Sequence, residues 1–217
     1  MKPYDLIVFD WDGTVMDSEH RIVTCMQRAG ADTLSSIPTD AEVREIIGLG
    51  MQEAVARLWP EANDDDVQKI IEAYRVHWLG DQIPDSELFE GAAETIEALT
   101  DRGYLLAVAT GKSRRGLDRV LDESGLGRYF HMTRCADEAH SKPHPQMLQD
   151  ILTDLNTEPN KALVVGDTEY DIQMAANAKV DAVGVSYGAH DQQRLIDCGA
   201  KTILHSLTEL IDWLEKQ

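Results

Sequence analysis

Two aspartates separated by one residue, Asp10 and Asp12, run directly into Gly13-Thr14, and they are the first residues of the chain whose types and spacing can do chemistry. A second acidic pair, Asp167 and Asp171, follows Gly166 late in the chain, and between the pairs stand Thr110-Gly111 and Lys142-Pro143. Carboxylates gathered in one place cannot all stay charged without compensation. A divalent oxygen-seeking cation is the natural compensation, and Mg2+ suits a few carboxylates, retained waters and a substrate phosphate. Lys142 adds a second positive charge. A cation, a lysine, a hydroxyl and exposed backbone N–H groups together make a receptor for a phosphoryl group. One carboxylate of such a site can attack phosphorus and form an aspartyl-phosphate. Another can act as general acid to the leaving oxygen and then as general base to water. Each motif alone has a plainer reading: a turn for Asp-Trp-Asp-Gly, a strand exit for Thr-Gly, a solvated loop for Lys-Pro, and an N-cap with a first-turn acid for Asp167 and Asp171.

These residues meet only if the elements that carry them converge. Leu6 to Phe9 is apolar without a break, as expected of a strand buried on both faces of a parallel sheet. Asp10 and Asp12 then stand at the carboxyl end of a central strand, where ligands bind in open α/β sheets. From Glu90 onward helices and strands alternate, the pattern of βαβ units. Strands are expected at 104–109, 131–135, 162–165, 180–185 and 202–204, with helices at 90–102, 113–124, 144–155, through about 178, and 207–214. The carboxyl ends of parallel strands share one edge, so all four polar signals are expected there.

Between the first strand and this alternating region the pattern is helical and no strand is legible. Ser18 is expected to cap a helix reaching about Gly30, and Thr39 or Asp40 opens another. Gly48-Leu49-Gly50 breaks the pattern, Met51 to Trp59 resumes it until Pro60, and Asp64-Asp65-Asp66 starts a longer helix. Ile83-Pro84-Asp85 reads as a hinge back to the core. The predicted fold class is α/β: a doubly wound parallel-sheet core, residues 1–15 and 84–217, with an inserted all-α cap domain, residues 16–83. An insert in that position is a lid. Its break at Gly48, Leu49, Gly50 and Met51 is the segment expected to face substrate, because glycines permit close backbone approach.

The formal charge is −19, from 39 acidic and 20 basic side chains among 217 residues. So acidic a surface repels phosphate backbones and anionic lipid, and neither nucleic acid nor membrane is expected as a partner. It also repels small anions, so a phosphorylated substrate needs local cations. Cys25, Cys135 and Cys198 are widely spaced and read as reduced buried thiols of a cytoplasmic protein. The apolar run at the N-terminus is too short for a signal-peptide core. Oligomeric state is left open between monomer and homodimer. Trp59, Trp78 and Trp213 read as packing residues, Trp11 equally as packing or as a neighbour of the site, and His140 and His144 as loop or helix-start residues.

The ordered set DxDGT, Thr-Gly, Lys-Pro, GDxxxD resembles the haloacid dehalogenase superfamily, in particular its phosphatases with a helical cap after the first motif, and most of all the phosphoglycolate phosphatase group. The resemblance spans essentially the whole chain. It implies that Asp10 is the nucleophile and a Mg2+ ligand, and that Asp12 is the acid/base, its backbone carbonyl ligating the metal. It further implies that Thr110 and the Gly111 backbone bind phosphate and that Lys142 balances the nucleophile and the phosphate. Asp167 would ligate the metal, and Asp171 would ligate through water or orient the lysine. The implied activity is Mg2+-dependent hydrolysis of a small phosphorylated metabolite. Asp12 argues against a dehalogenase or phosphonate hydrolase, which lack an aspartate there. Sugar mutases of this kind place an arginine in the cap loop, and Gly48-Leu49-Gly50-Met51-Gln52 contains none. An inorganic pyrophosphatase remains a rival, and a non-catalytic binding module would have no need of the nucleophile.

Overall fold

A computed structural model describes residues 2–34, 36–80, 83 and 85–217. The core is a six-stranded, wholly parallel sheet built from β1 (Leu6–Phe9), β4 (Leu105–Thr110), β5 (Met132–Cys135), β6 (Ala162–Gly166), β7 (Asp181–Val185) and β8 (Ile203–Leu204). Its strand order is β5-β4-β1-β6-β7-β8. The chain runs outward from β1 to one edge, then returns to β6 on the other side of β1 and runs outward again. That reversal opens a crevice at the carboxyl ends of the strands flanking it. β1 and β6 are those strands, and they carry Asp10 and Asp167 just beyond their ends.

Alternation along the buried strands divides their side chains between two apolar layers. Ile7, Phe9, Leu106, Val108, Leu163 and Val165 face α5 (Ala92–Asp101), α6 (Arg114–Ser124) and α10 (Glu209–Leu214). Leu6, Val8, Ala107, Ala109, Ala162 and Val164 face α7 (Gln146–Asp154), α8 (Glu169–Asn177) and α9 (Gln192–Asp197). Coverage of both faces is why β1 reads as an unbroken apolar run.

Helices α1 (Glu19–Thr33), α2 (Asp40–Arg44), α3 (Met51–Leu58) and α4 (Asp64–Leu79) enclose a third apolar cluster, including Met26, Val43, Val55, Ile70 and Ile71. Their starts follow the capping rules. Thr39 and Glu42 form a capping box on α2, and Asn63 accepts the Asp66 N–H at the head of α4. Ser18 stands at the N-cap position of α1 but makes no capping hydrogen bond. The expectation of a Ser18 cap is therefore corrected: its hydroxyl is turned toward the site described below.

A two-stranded antiparallel ribbon, β2 (Met16–Asp17) with β3 (Glu87–Leu88), joins the two chain crossings between the helices and the sheet. No strand was legible there, because two residues are too few to show alternation. Pro84 of the expected hinge and Asp81 lie outside the described residues; Asp85 is ion-paired with the buried Arg21 of α1. Helix α9 was likewise not anticipated. Cys25 and Cys135 are buried and Cys198 is half-buried, so the expectation of buried thiols holds for two of the three. Trp11 is enclosed, edge-on to Phe130 at 6.1 Å, and is a packing residue. No helix among the described residues is long and apolar enough to cross a membrane.

Ile70 is fully buried at the centre of the helical cluster. Truncation to alanine should lower stability by about 2–5 kcal/mol, measured by urea denaturation. A loss below about 1 kcal/mol would show that these helices do not pack as a close-fitted core.

Candidate active site

Beyond Phe9 the chain folds into a tight turn in which the Trp11 carbonyl accepts hydrogen bonds from the N–H groups of Val15 (2.9 Å) and Met16 (3.0 Å). Gly13 takes φ of +83°, and a Cβ there would lie 2.2 Å from Asp167 Oδ2, so both its conformation and the space require glycine. The turn sends Asp10 and Asp12 in different directions and brings Thr14 back toward β6.

Asp10 is buried, with Oδ1 accepting from Lys142 Nζ at 2.7 Å, while Oδ2 is buried with no partner. Lys142 Nζ also donates to Asp171 Oδ1 at 2.6 Å. The second oxygen of Asp171 accepts from the Thr168 N–H (3.1 Å) and Oγ1 (2.7 Å) at the start of α8. Asp167 accepts from Thr14 Oγ1 (2.9 Å) and from the Ala189 N–H (2.8 Å). Asp10, Asp167 and Asp171 each present an oxygen within 4.8 Å of the others. Asp12 stands apart from this cluster: Lys112 Nζ lies 2.7 and 2.9 Å from its two oxygens, and Ser18 Oγ donates to Oδ1 at 2.6 Å. Thr110 is buried, its Oγ1 accepting from the Lys112 N–H at 3.2 Å.

Charge in this cluster does not balance. Three buried carboxylates face the Lys142 ammonium, and burial first, with mutual repulsion added, pushes Asp10 well above the usual carboxylate range despite the lysine. Asp167 is pushed up to about 7, by burial first and by the charge of Asp171 next. Burial by itself would lower the Lys142 ammonium, but Asp10 and Asp171 outweigh it and hold the lysine charged. The excess negative charge, together with the unpartnered Asp10 Oδ2, is what a divalent cation would satisfy. The donor set is all oxygen and fits a hard cation.

The turn from Gly48 to Met51 packs directly on these motifs. A Cβ on Gly111 would lie 2.5 Å from the Leu49 carbonyl oxygen, and one on Gly48 would lie 2.9 Å from Thr168 Oγ1. The Gly50 N–H donates to Ser141 Oγ at 2.7 Å, next to Lys142. Farther round, the Tyr170 hydroxyl donates to the Glu45 carbonyl at 2.7 Å, and Arg194 pairs with both Glu45 and Glu169. Asp10, Asp12, Thr110, Gly111, Gly48, Leu49 and Met51 all line one cavity of about 600 Å³. Gly50 lines an adjoining one.

The sequence reading missed Lys112 and Ser18 as partners of Asp12, and the 188–190 loop as a partner of Asp167. Lys112 follows Thr110-Gly111 directly, so its place at the carboxyl edge was available as a signal. Ser18 offered none beyond its capping propensity. Arg114, another nearby cation, is tied to Glu138, Asp118 and the Thr133 carbonyl. Trp78 is more than a packing residue: it lines the cavity, with Lys112 Nζ 4.5 Å from its ring centre.

The family described as Haloacid dehalogenase-like hydrolase matches residues 7–185. The chain belongs to that family. It is 31% identical over 215 residues to “Probable phosphatase IndB” of Dickeya dadantii (strain 3937), covering 97% of this chain and 93% of that protein. It is 28% identical to a phosphoglycolate phosphatase of Agrobacterium fabrum (strain C58 / ATCC 33970), covering 86% and 82% of the two chains. The crystal structure of a predicted phosphoglycolate phosphatase from Haemophilus somnus 129PT superposes with a TM-score of 0.87 at 25% identity, covering 98% and 99%. Within its family the protein is phosphoglycolate phosphatase-like.

The raised carboxyls predict a pH signature. A carboxyl whose folded value lies above its unfolded value near 4 contributes stability below that value and loses it as pH rises through the folded one. With Asp167 at about 7, EDTA-treated protein should lose this contribution to thermal stability as pH rises from about 4 to about 7, with no further loss from this group above that. A saturating divalent cation should flatten that slope; an unchanged slope would exclude the cluster as its binding place. Lys142→Met removes the ammonium between Asp10 and Asp171 and should destabilise the EDTA-treated protein by about 3–5 kcal/mol, part of it restored by the cation.

Proposed function

We propose that this phosphatase hydrolyses a small phosphorylated metabolite through an aspartyl-phosphate on Asp10, with Mg2+ as cofactor. The observation that carries the reading is the state of Asp10: fully buried, held on one oxygen by Lys142, with its other oxygen unpartnered, at a cavity that also contains Asp12, Thr110 and Gly111. The relatives named as phosphatases support the same chemistry.

In this reading the phosphoryl oxygens are held by Thr110 Oγ1, the Gly111 N–H and Lys142 Nζ. An Asp10 oxygen attacks phosphorus as the bond to the leaving oxygen breaks, and Asp12 gives that oxygen its proton. Water then attacks the phosphorus of the aspartyl-phosphate and Asp12 takes a proton back, releasing inorganic phosphate and restoring the Asp10 carboxylate. Asp12 must first part from Lys112, and a phosphoryl oxygen is the natural new partner for that ammonium. Asp10, Asp167, the Asp12 backbone carbonyl and Asp171 would hold Mg2+, which when bound neutralises carboxylate and phosphoryl charge. Both oxygens of Asp171 already accept hydrogen bonds, which favours its reaching the metal through water while orienting Lys142.

Residues 16–83 are read as a cap over a core of residues 1–15 and 84–217. Supporting this, α1 to α4 have their own apolar cluster, and the β2–β3 ribbon binds the two crossings side by side. Such a cap can rock as a unit and exclude bulk water when closed.

Turnover of a phosphate panel should vanish on chelation and return with Mg2+, and Ca2+ should support it poorly because its looser coordination misplaces the nucleophile. Asp10→Asn should leave no turnover and no labelled protein from a ³²P substrate. Asp12→Asn should lose roughly 10²–10⁴-fold in turnover yet still trap label from a substrate with a good leaving group. Label on Asp10→Asn protein would remove Asp10 as the nucleophile.

A further inference from the structure

The cavity at Asp10 is larger and more apolar than a two-carbon acid or a second phosphate requires. At about 600 Å³ it lies within the range that holds drug-sized ligands. Its inner wall is formed by Met26, Ile46, Leu49, Ala54 and Tyr74, contributed by α1, the α2–α3 connection, α3 and α4. Toward the mouth, where Leu79 is 49% exposed, the lining changes character. There Arg75 and Arg115 are exposed and have no ion-pair or hydrogen-bond partner among the described residues. Lys112 lies deeper, but it is bound to both oxygens of Asp12.

A phosphoglycolate or pyrophosphate leaving group would leave most of this cavity unfilled and bring a second negative charge beside its apolar lining. A cavity of this size lined mainly by apolar and aromatic side chains is the usual form of a ligand site. Building on the phosphatase reading above, we infer that the natural leaving group is an alcohol with a bulky, largely apolar body. That body fills the space between α1, α3 and α4, and its polar groups are confined to the mouth beside Arg75 and Arg115. The phosphorus–oxygen bond breaks as already described, Asp12 protonates the alcohol oxygen, and water supplies the oxygen that leaves with phosphate. Contact with the apolar body is made equally in the ground state and the transition state, so it acts through KM.

The test compares kcat/KM with Mg2+ for ethyl phosphate, 2-phenylethyl phosphate, phosphoglycolate and pyrophosphate, in the full chain and in Ala54→Leu and Trp78→Ala. 2-Phenylethyl phosphate should exceed both ethyl phosphate and phosphoglycolate roughly tenfold or more, chiefly through KM. Ala54→Leu, which adds bulk to the inner wall, should narrow that ratio, and so should Trp78→Ala, which removes part of the wall; circular dichroism checks that each variant is folded. A preference for phosphoglycolate or pyrophosphate overturns the inference while leaving the phosphatase reading intact. A phenyl advantage that neither variant changes also overturns it, since the body would then bind elsewhere. Failure to hydrolyse any of the four compounds overturns both.

Discussion

Asp10, Asp167 and Asp171 lie buried together against the ammonium of Lys142, and the negative charge left over constrains everything around them. Such a cluster is tolerable only if each carboxylate oxygen has a donor or a cation within reach. The fold supplies donors from four separate segments: Thr14 from the turn after β1, Lys142 from the loop before α7, Thr168 from the head of α8 and Ala189 from the loop after β7. All four stand at the same edge because the strands are parallel. The doubly wound topology is thus the means by which residues far apart in sequence share one electrostatic problem. Asp10 Oδ2 is the oxygen left over, buried with no partner, and in the proposed mechanism it is free to meet a cation or phosphorus.

The second constraint is closeness. Two main-chain segments, Gly48–Leu49 and Gly111, approach until no side-chain carbon fits between them, and Gly13 and Gly188 crowd Asp167 in the same way. These contacts seat the helical cluster on the sheet edge. The remaining links between the two parts include Tyr170 with the Glu45 carbonyl, and Arg194 with Glu45, polar contacts that water can replace at low cost. A close polar seam of this kind opens more readily than an apolar one, while each part keeps its own core. In the proposed cap reading, the ribbon of β2 and β3 would be the axis of such opening.

Lys112 joins the two constraints. Its ammonium grips Asp12 and lies over the ring of Trp78 from α4, while Ser18, at the head of α1, holds the same carboxylate. The side chain expected to handle the proton is therefore held by one residue that touches the helices and one that begins them, so its surroundings change whenever the helices move. Trp78 takes part in this and in lining the cavity, which a helical apolar stripe alone does not reveal.

What the sequence determined by itself is everything set by local pattern. The unbroken run Leu6–Phe9, the alternation of elements after Glu90, the helical spacing before it and the four motifs in order were enough for the sheet, the helical insert and the cluster of Asp10, Lys142, Asp167 and Asp171, because periodicity and turn chemistry are properties of neighbouring residues. Elements too short to show a period, such as β2 and β3, and the exact ends of helices were not legible. Only the tertiary structure decided which partner each polar group found. Ser18 has the composition of a helix cap, yet its hydroxyl bonds Asp12, which the turn at Gly13 places beside it. Lys112 could have bound phosphate or solvent, and it meets Asp12 and Trp78 because the fold brings the C-terminal part of α4 beside the turn after β4. The shape and apolar character of the cavity belong to the same class, since they depend on how four helices and a sheet edge leave space between them, and no single segment carries that information.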